Sequence, residues 1–278
     1  MRELNYSEIV AAVRDMAMRA AYDLEPDILE ALLAARDRET ALLSKNILEM
    51  LLVNADTASR DRIPLCQDTG IAVLFVELGQ DVRIIGSLEE AIQEGIASGY
   101  EAGYLRKSVC DPLTRINTKT NTPAVIHLRV VAGDRLTMSL LPKGCGSENM
   151  SGLAMLPPSA GRSGVVQYVV DRVVAAGSNP CPPVVVGVGV GGTFEKAALL
   201  AKEALLRPLG TAHPRADAAA LEEEILIAIN ARGQGVQGFG GNNTALAVHV
   251  ELFPSHIASL PVAVNIQCHA HRYKKIVL

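Results

Sequence analysis

NPCPPVVVGVGVGGTFEKAALLAKEALLRPLG (residues 179–210) decides the fold class. Val184, Val185 and Val186 open an apolar run bounded by prolines, which reads as a buried strand. A glycine turn follows, and Phe194 to Leu206 reads as a helix. Gly187, Gly189 and Gly192 also match G-x-G-x-x-G, the form of a dinucleotide fingerprint. That site requires a second strand after the helix, ending in Asp or Glu about 20 residues on. Here the helix runs into RPLGTAHPRAD (207–217), which proline interrupts and which holds no apolar strand. A NAD-dependent oxidoreductase using Gly187, Gly189 and Gly192 therefore stands only as an alternative of another class. The structural expectation is a tight glycine turn that lets strand and helix pack closely; amides at that helix start are able to meet an anionic group.

Outward from this stretch the elements alternate. Toward the C-terminus, Leu221, Ile225 and Ile229 mark a helix, and TALAVHVEL (244–252) and LPVAVNIQ (260–267) read as strands. Toward the N-terminus, the length of the Val165–Val174 segment favours a helix. AVIHLRVV (124–131), AGD (132–134) and RLTMSLL (135–141) read as an antiparallel hairpin around a Gly-Asp turn. IAVLFVEL (71–78) reads as a strand, and Ser87 with Glu90 opens a helix carrying Ile92, Ile96 and Tyr100. The first residues are helical. Asn5 and Glu8 form a capping box ahead of a stripe of Ile9, Val10, Val13, Met16, Ala17 and Ala20. Pro26 suits the first turn of a second helix, and Leu42, Leu43, Ile47, Leu48, Leu51 and Leu52 mark a third. The expectation is one α/β domain over 1–278, with a helical N-terminal section (about 1–57) and an α/β section (about 58–278). In the latter a mixed sheet with an antiparallel component is flanked by helices.

Composition narrows the function classes. With 278 residues and 49% hydrophobic content the chain buries a substantial core. The net charge of -4 is spread without a basic stripe, which argues against nucleic acid as a partner. No apolar run of about 18 residues is present, so no membrane span is expected. MRELNYSEIV lacks the features of a signal peptide. The five cysteines are odd in number and widely scattered, which argues against a disulfide framework and for thiols in a reducing cytoplasm.

Chemistry concentrates in polar, glycine- and proline-rich loops between apolar elements. These are PLCQDTG (64–70), PKGCGSENMS (142–151), GSNPCPP (177–183), GVQGFGGNNT (235–244) and NIQCHAH (265–271). Such loops, fixed at both ends, are where sites form. Cys66, Cys181 and Cys268 lie in three of them, with no CxxC spacing to suggest a zinc knuckle. Each taken alone reads as a buried structural thiol. Their contexts favour a shared centre: Gln67 and Asp68 follow Cys66, prolines clamp Cys181, and His269 and His271 follow Cys268. Three thiolates on a [4Fe–4S] cube leave one iron not ligated by cysteine and open to act as a Lewis acid.

PLCQDTG, KGCGSEN (143–149), the 179–210 segment and QGFGGNNTALAVHVELFPSHIASLPVAVNIQCHAHR (237–272) strongly resemble class I fumarases and the related L-tartrate dehydratases, α half. The resemblance covers nearly the whole chain. It implies an iron–sulfur hydro-lyase acting on a small dicarboxylate, with Cys66, Cys181 and Cys268 as cluster ligands. It implies that Gln67 and Asp68 lie at the substrate, with Asp68 in proton transfer, that Arg106 binds a carboxylate, and that His256 is an active-site histidine. Gly144 and Gly146 then belong to a loop closing on the substrate. The family's β half is absent from these residues, so a β subunit is expected as partner, with a dimer of α–β pairs implied by the resemblance alone. Fumarate hydration to (S)-malate, a reaction of the tricarboxylic acid cycle, is the first expectation. L-tartrate dehydration to oxaloacetate is the alternative, and the motifs do not separate them. A non-catalytic cluster-binding scaffold is a third reading.

Cys145 departs from the pattern, since glycine is expected there, and it is not counted as a ligand. Cys110 lies in no matching motif and reads as structural. Asp68 in DTG also reads as a turn residue, Arg106 as a solvated helix end, and His256 as a residue satisfying a loop carbonyl.

Overall fold

The computed structural model describes residues 2–278. In chain order, β1 (Arg2–Asn5) leads into α1 (Tyr6–Tyr22), α2 (Pro26–Arg38) and α3 (Leu42–Asp61). Then come β2 (Ile71–Gly79), β3 (Val82–Ile85), α4 (Leu88–Ala102), β4 (Val125–Val131) and β5 (Leu136–Lys143). A short α5 (Cys145–Glu148) precedes β6 (Gly152–Leu156), α6 (Gly161–Ala176), β7 (Val184–Gly191) and α7 (Phe194–Glu203). The chain closes with α8 (Ala216–Arg232), β8 (Ala245–Phe253), β9 (Leu260–Gln267) and β10 (Lys274–Val277). The architecture is mixed α/β, as expected. None of its helices is long and apolar enough to cross a membrane, among the described residues.

The chain forms two compact units interleaved in sequence. One comprises Met1–Glu25, Asn54–Cys145 and Arg272–Leu278; the other comprises Pro26–Val53 and Gly146–His271. The helical N-terminal residues are thus divided: α1 belongs to the first unit, α2 to the second, and α3 is shared.

In the first unit the Asn5 capping box forms as expected, the Glu8 carboxylate accepting the Asn5 N–H at 2.8 Å. The predicted stripe of α1 is buried except for the half-buried Val10, and Ile9, Val13, Met16 and Ala17 share a core with Ile92, Ile96 and Tyr100 of α4. Two glycines allow α1 and α4 to approach. A Cβ at Gly95 would stand 2.6 Å from that of Val13, and one at Gly99 would stand 2.9 Å from that of Ala17. The four-stranded sheet has the order β10-β5-β2-β4, and β1 pairs with β3 in parallel.

That order corrects the expected hairpin. β4 and β5 do not pair with each other; both pair with β2, β4 parallel and β5 antiparallel. The 132–135 connection instead passes the end of β2, where Gly79 N–H donates to Arg135 O (2.8 Å) and Asp81 N–H to Gly133 O (2.9 Å). Burial explains the choice. Ala72, Val73, Leu74 and Val76 of β2 are buried, whereas Val125, Leu128 and Val130 of β4 are exposed. The more apolar strand takes the centre, where both of its backbone edges are paired.

In the second unit the sheet order is β6-β9-β7-β8, with β7 parallel to β8 and antiparallel to β9. Alternate residues of β7 face opposite ways. Val184, Val186 and Val188 join a core with Val169 and Val173 of α6 and Leu221, Ile225 and Ile229 of α8. Gly187 and Gly189 face α7. A Cβ at Gly187 would meet the Ala201 carbonyl oxygen at 2.0 Å, and one at Gly189 the Ala197 oxygen at 2.1 Å. The glycines thus let a helix rest directly on strand backbone. The tight turn lies just beyond them, at Gly191 and Gly192, where φ is 94° and 72°. The dinucleotide alternative loses its basis: the spacing serves helix–strand packing in a mixed sheet, and the parallel partner of β7 begins only at Ala245.

Candidate active site

In the first unit the PLCQDTG loop is held by its main chain. Leu65 N–H donates to Ala21 O (2.9 Å), and Asn54 Nδ2 donates to Leu65 O (2.9 Å). Arg272 Nη2 donates to Asp68 O (2.8 Å). The Tyr100 hydroxyl lies 2.8 Å from Thr69 O and 3.0 Å from Gly70 O, and Asn121 Nδ2 donates to Gly70 O (3.1 Å). Burial pushes the Tyr100 phenol well above its ordinary pKa, against a smaller opposing effect of the Arg272 cation, so it stays a donor. Gly70 has φ of 81°, and a Cβ there would stand 2.8 Å from Lys143 N. Only glycine closes this turn against β5.

Those anchors orient the side chains. Asp68 Oδ1 accepts the Gly70 N–H (3.0 Å) and Oδ2 accepts the Cys145 N–H (2.8 Å). Cys66 is half-buried and its Sγ donates to Gln67 Oε1 at 3.3 Å. Thr69 Oγ1 donates to Arg106 O (2.8 Å), which fixes the start of the YLRKS loop and leaves the Arg106 side chain exposed. Gly144 lies over the carboxylate: a Cβ there would be 3.3 Å from Asp68 Oδ2. The unit therefore gathers Asp68, Gly144, Cys145, the Arg106 backbone and the flanking Cys66 and Gln67. Arg272 was not foreseen. It is fully buried, and its Nε and Nη1 have no hydrogen-bond partner. Cys110 sits elsewhere, bridged to Asn117.

In the second unit, Cys181 and Cys268 stand at one end of the sheet. Cys181 precedes β7, Cys268 directly follows β9, and Val185 pairs with Gln267. The His269 N–H donates to Cys181 O (3.3 Å), so the two thiol segments run side by side. Cys181 has φ of 54°, a left-handed conformation costly for a non-glycine residue. Gly146 lies against the same segment: a Cβ there would be 3.4 Å from Asn179 O.

His256 is not gathered with these cysteines. It lies in the β8–β9 turn, where its Nδ1 accepts the Ala258 N–H (3.1 Å). Strand β9, eight residues long, separates that turn from Cys268, which is about 25 Å at the usual rise per residue. The exposed imidazole instead borders a cleft of about 520 Å³ with Arg162, Asp217, Leu221 and Leu260.

The fumarate hydratase (Fumerase) family model matches residues 10–277. The chain belongs to that family. Among the relatives of this fumarase-family chain is the putative L(+)-tartrate dehydratase subunit alpha of Methanocaldococcus jannaschii, 41% identical over 272 residues, 95% of each chain. The L(+)-tartrate dehydratase subunit alpha of Escherichia coli strain UTI89 is 33% identical over 270 residues, 96% of this chain and 88% of the relative. The corresponding protein of Escherichia coli K12 is 32% identical over the same length.

The cluster that the family resemblance implies can be tested against the donors. All five cysteines of this fumarase-family chain are outside disulfides, and Cys66, Cys181 and Cys268 are each at least half-exposed or partly accessible at a loop. Soft thiolates of this kind are the ordinary ligands of iron–sulfur clusters, so the donor chemistry fits. Among the described residues no three His, Cys, Asp or Glu side chains form a group for a single metal ion. Sequence reasoning missed the supporting residues Tyr100, Asn121, Arg272, Glu39 and Gln237. Only glycine density marked the surroundings of Gln237, and nothing local marked Arg272.

Proposed function

We propose that this chain is the α subunit of an iron–sulfur hydro-lyase that dehydrates L(+)-tartrate to oxaloacetate together with a β subunit. The observation that carries the chemistry is the Asp68 carboxylate, oriented by the main-chain N–H groups of Gly70 and Cys145. The names of the relatives favour tartrate over the fumarate first expected from the sequence. Fumarate hydration to (S)-malate is the second reading, favoured by the description of the matching family.

The roles follow from the residues. Arg106 offers a guanidinium fork for one substrate carboxylate. Gln67 presents an exposed amide on the same loop as Asp68. Asp68 holds or passes the proton at the carbon next to the departing hydroxyl, its orientation kept by Gly70 and Cys145. Gly144 and Gly146 let the 142–151 segment approach without side chains. A [4Fe–4S] cluster on Cys66, Cys181 and Cys268 supplies Lewis acidity for the hydroxyl when bound. His256 stands at the far end of its sheet from Cys181 and Cys268, and no step is assigned to it at that edge.

The deciding experiment co-purifies the chain with its β partner, loads iron and sulfide anaerobically, and assays L(+)-tartrate and fumarate. Tartrate turnover at least about tenfold above fumarate turnover, a gap of about 1.4 kcal/mol in barrier, supports the first reading. The reverse preference establishes the second. A loaded complex that turns over neither rejects a hydro-lyase.

A further inference from the structure

Gln237, within GVQGFGGNNT, reaches both cysteine segments of the second unit. Its main-chain N–H donates to Pro182 O at 2.8 Å, and its side-chain Nε2 donates to the same oxygen at 2.7 Å. The same Nε2 lies 3.1 Å from His269 Nδ1. Pro182 follows Cys181, and His269 follows Cys268. His269 Nδ1 is also 3.0 Å from Cys181 O. In one tautomer it donates to that carbonyl; in the other it accepts from Gln237. Either way the two thiol segments are cross-tied at this point.

The clamp is braced from behind. Gln237 has φ of 51°, which a non-glycine residue holds only when its surroundings impose it. The imposing structure is a glycine knot. Val236 N–H donates to Gly240 O (3.0 Å) and Gly240 N–H to Gln234 O (2.8 Å). A Cβ at Gly235 would stand 1.8 Å from the Gly240 oxygen. Ser44 Oγ donates to Gly240 O (2.7 Å). The buried Glu39 carboxylate accepts the N–H groups of Thr40, Ala41 and Asn242 and the Asn243 amide, at 2.8–3.0 Å. Burial raises the pKa of Glu39, but these donors outweigh it and hold the carboxyl below its usual value. The knot is thus fastened by a carboxylate on the α2–α3 connection.

We propose that Gln237 is a positioning residue that sets the spacing of Cys181 and Cys268 and thereby retains the cluster. This rests on the cluster assignment made above. The test uses the full chain as wild type, Gln237→Asn and Gln237→Glu. Asparagine tolerates the left-handed backbone but is too short to span the gap, and glutamate keeps the length but removes the amide donor. Hydrogen exchange of the iron-free proteins reports the clamp without any cluster. Exchange is expected to rise about tenfold in both variants within residues 178–184 and 267–271, and to stay unchanged in α1 and α4. After anaerobic loading with ferrous iron and sulfide, iron loss to a chelator is expected to be at least about tenfold faster than in wild type. Unchanged exchange in those two segments overturns the clamp. Raised exchange with wild-type iron retention overturns its service to the cluster. Raised exchange in a chain whose wild type takes up no iron and sulfide upholds the clamp and rejects the cluster assignment instead.

Discussion

The Asp68 carboxylate accepts the main-chain N–H of Cys145 at 2.8 Å, joining the loop after α3 to the first residue of α5. Its second oxygen is occupied by Gly70 N–H at 3.0 Å. Asp68→Asn is close in shape but offers one acceptor where the carboxylate offers two. In the loaded α–β complex, kcat is expected to fall by about 10²–10⁴, the usual contribution of a proton-transfer group. Thermal melting of the same variant should stay near wild type. A kcat within about threefold of wild type would remove Asp68 from the chemistry.

Cys145 enters that contact through its backbone. Cys145→Ala keeps the N–H and removes the thiol. Iron content and turnover are expected to remain within about twofold of wild type, since a main-chain hydrogen bond does not depend on the side chain. Loss of one iron or of most iron would make the thiol a ligand.

Gly189 has no space for a methyl group. A Cβ there meets the Ala197 oxygen at 2.1 Å, and strand and helix must part to admit it. Gly189→Ala is expected to cost about 3 kcal/mol, at the upper end for overpacking, read as a lower urea midpoint. A neutral effect on stability, coupled to loss of nicotinamide binding measured by calorimetry, would restore the dinucleotide reading.

His249 makes the second unit sensitive to acid. Burial, then the nearby Arg207 cation, push its pKa down to about 4. Its Nδ1 lies 3.2 Å from Ala204 O inside the core. The unfolded imidazole titrates near 6.5, so protons favour the unfolded chain. The stabilising effect is complete above about pH 6.5 and declines as pH falls toward 4, by about 3 kcal/mol in all. His249→Gln is expected to flatten the stability profile over this window. Parallel profiles for the two proteins, measured by urea unfolding, would show that other groups set the acid limit.

Much of the fold was legible because its signals are local. The Asn5–Glu8 box, Pro26 at the start of α2, Ser87 capping α4 and the apolar periods of α1, α6 and α8 depend on residues a few positions apart. The short strands β1, β3, β6 and β10 were not read, since four or five residues carry too little periodicity. The hairpin at 132–134 failed for a different reason. Turn chemistry specifies a reversal of the chain, but not whether a third strand lies between the two arms. The cysteine loops and Asp68 were marked by composition and by family resemblance, whereas Arg272 and Gln237 act through distant carbonyls and left no local pattern.

The amino-acid sequence by itself determined the helices, the long strands, the thiol-bearing loops and the family. These follow from side-chain periodicity, capping and motifs within short stretches. Tertiary structure alone decided that β2 separates β4 from β5, that Gly187 and Gly189 serve α7, and that His256 stands a full strand length from Cys268. Each is a pairing between residues far apart in the chain, where competition for burial and for backbone partners, rather than local preference, selects the arrangement.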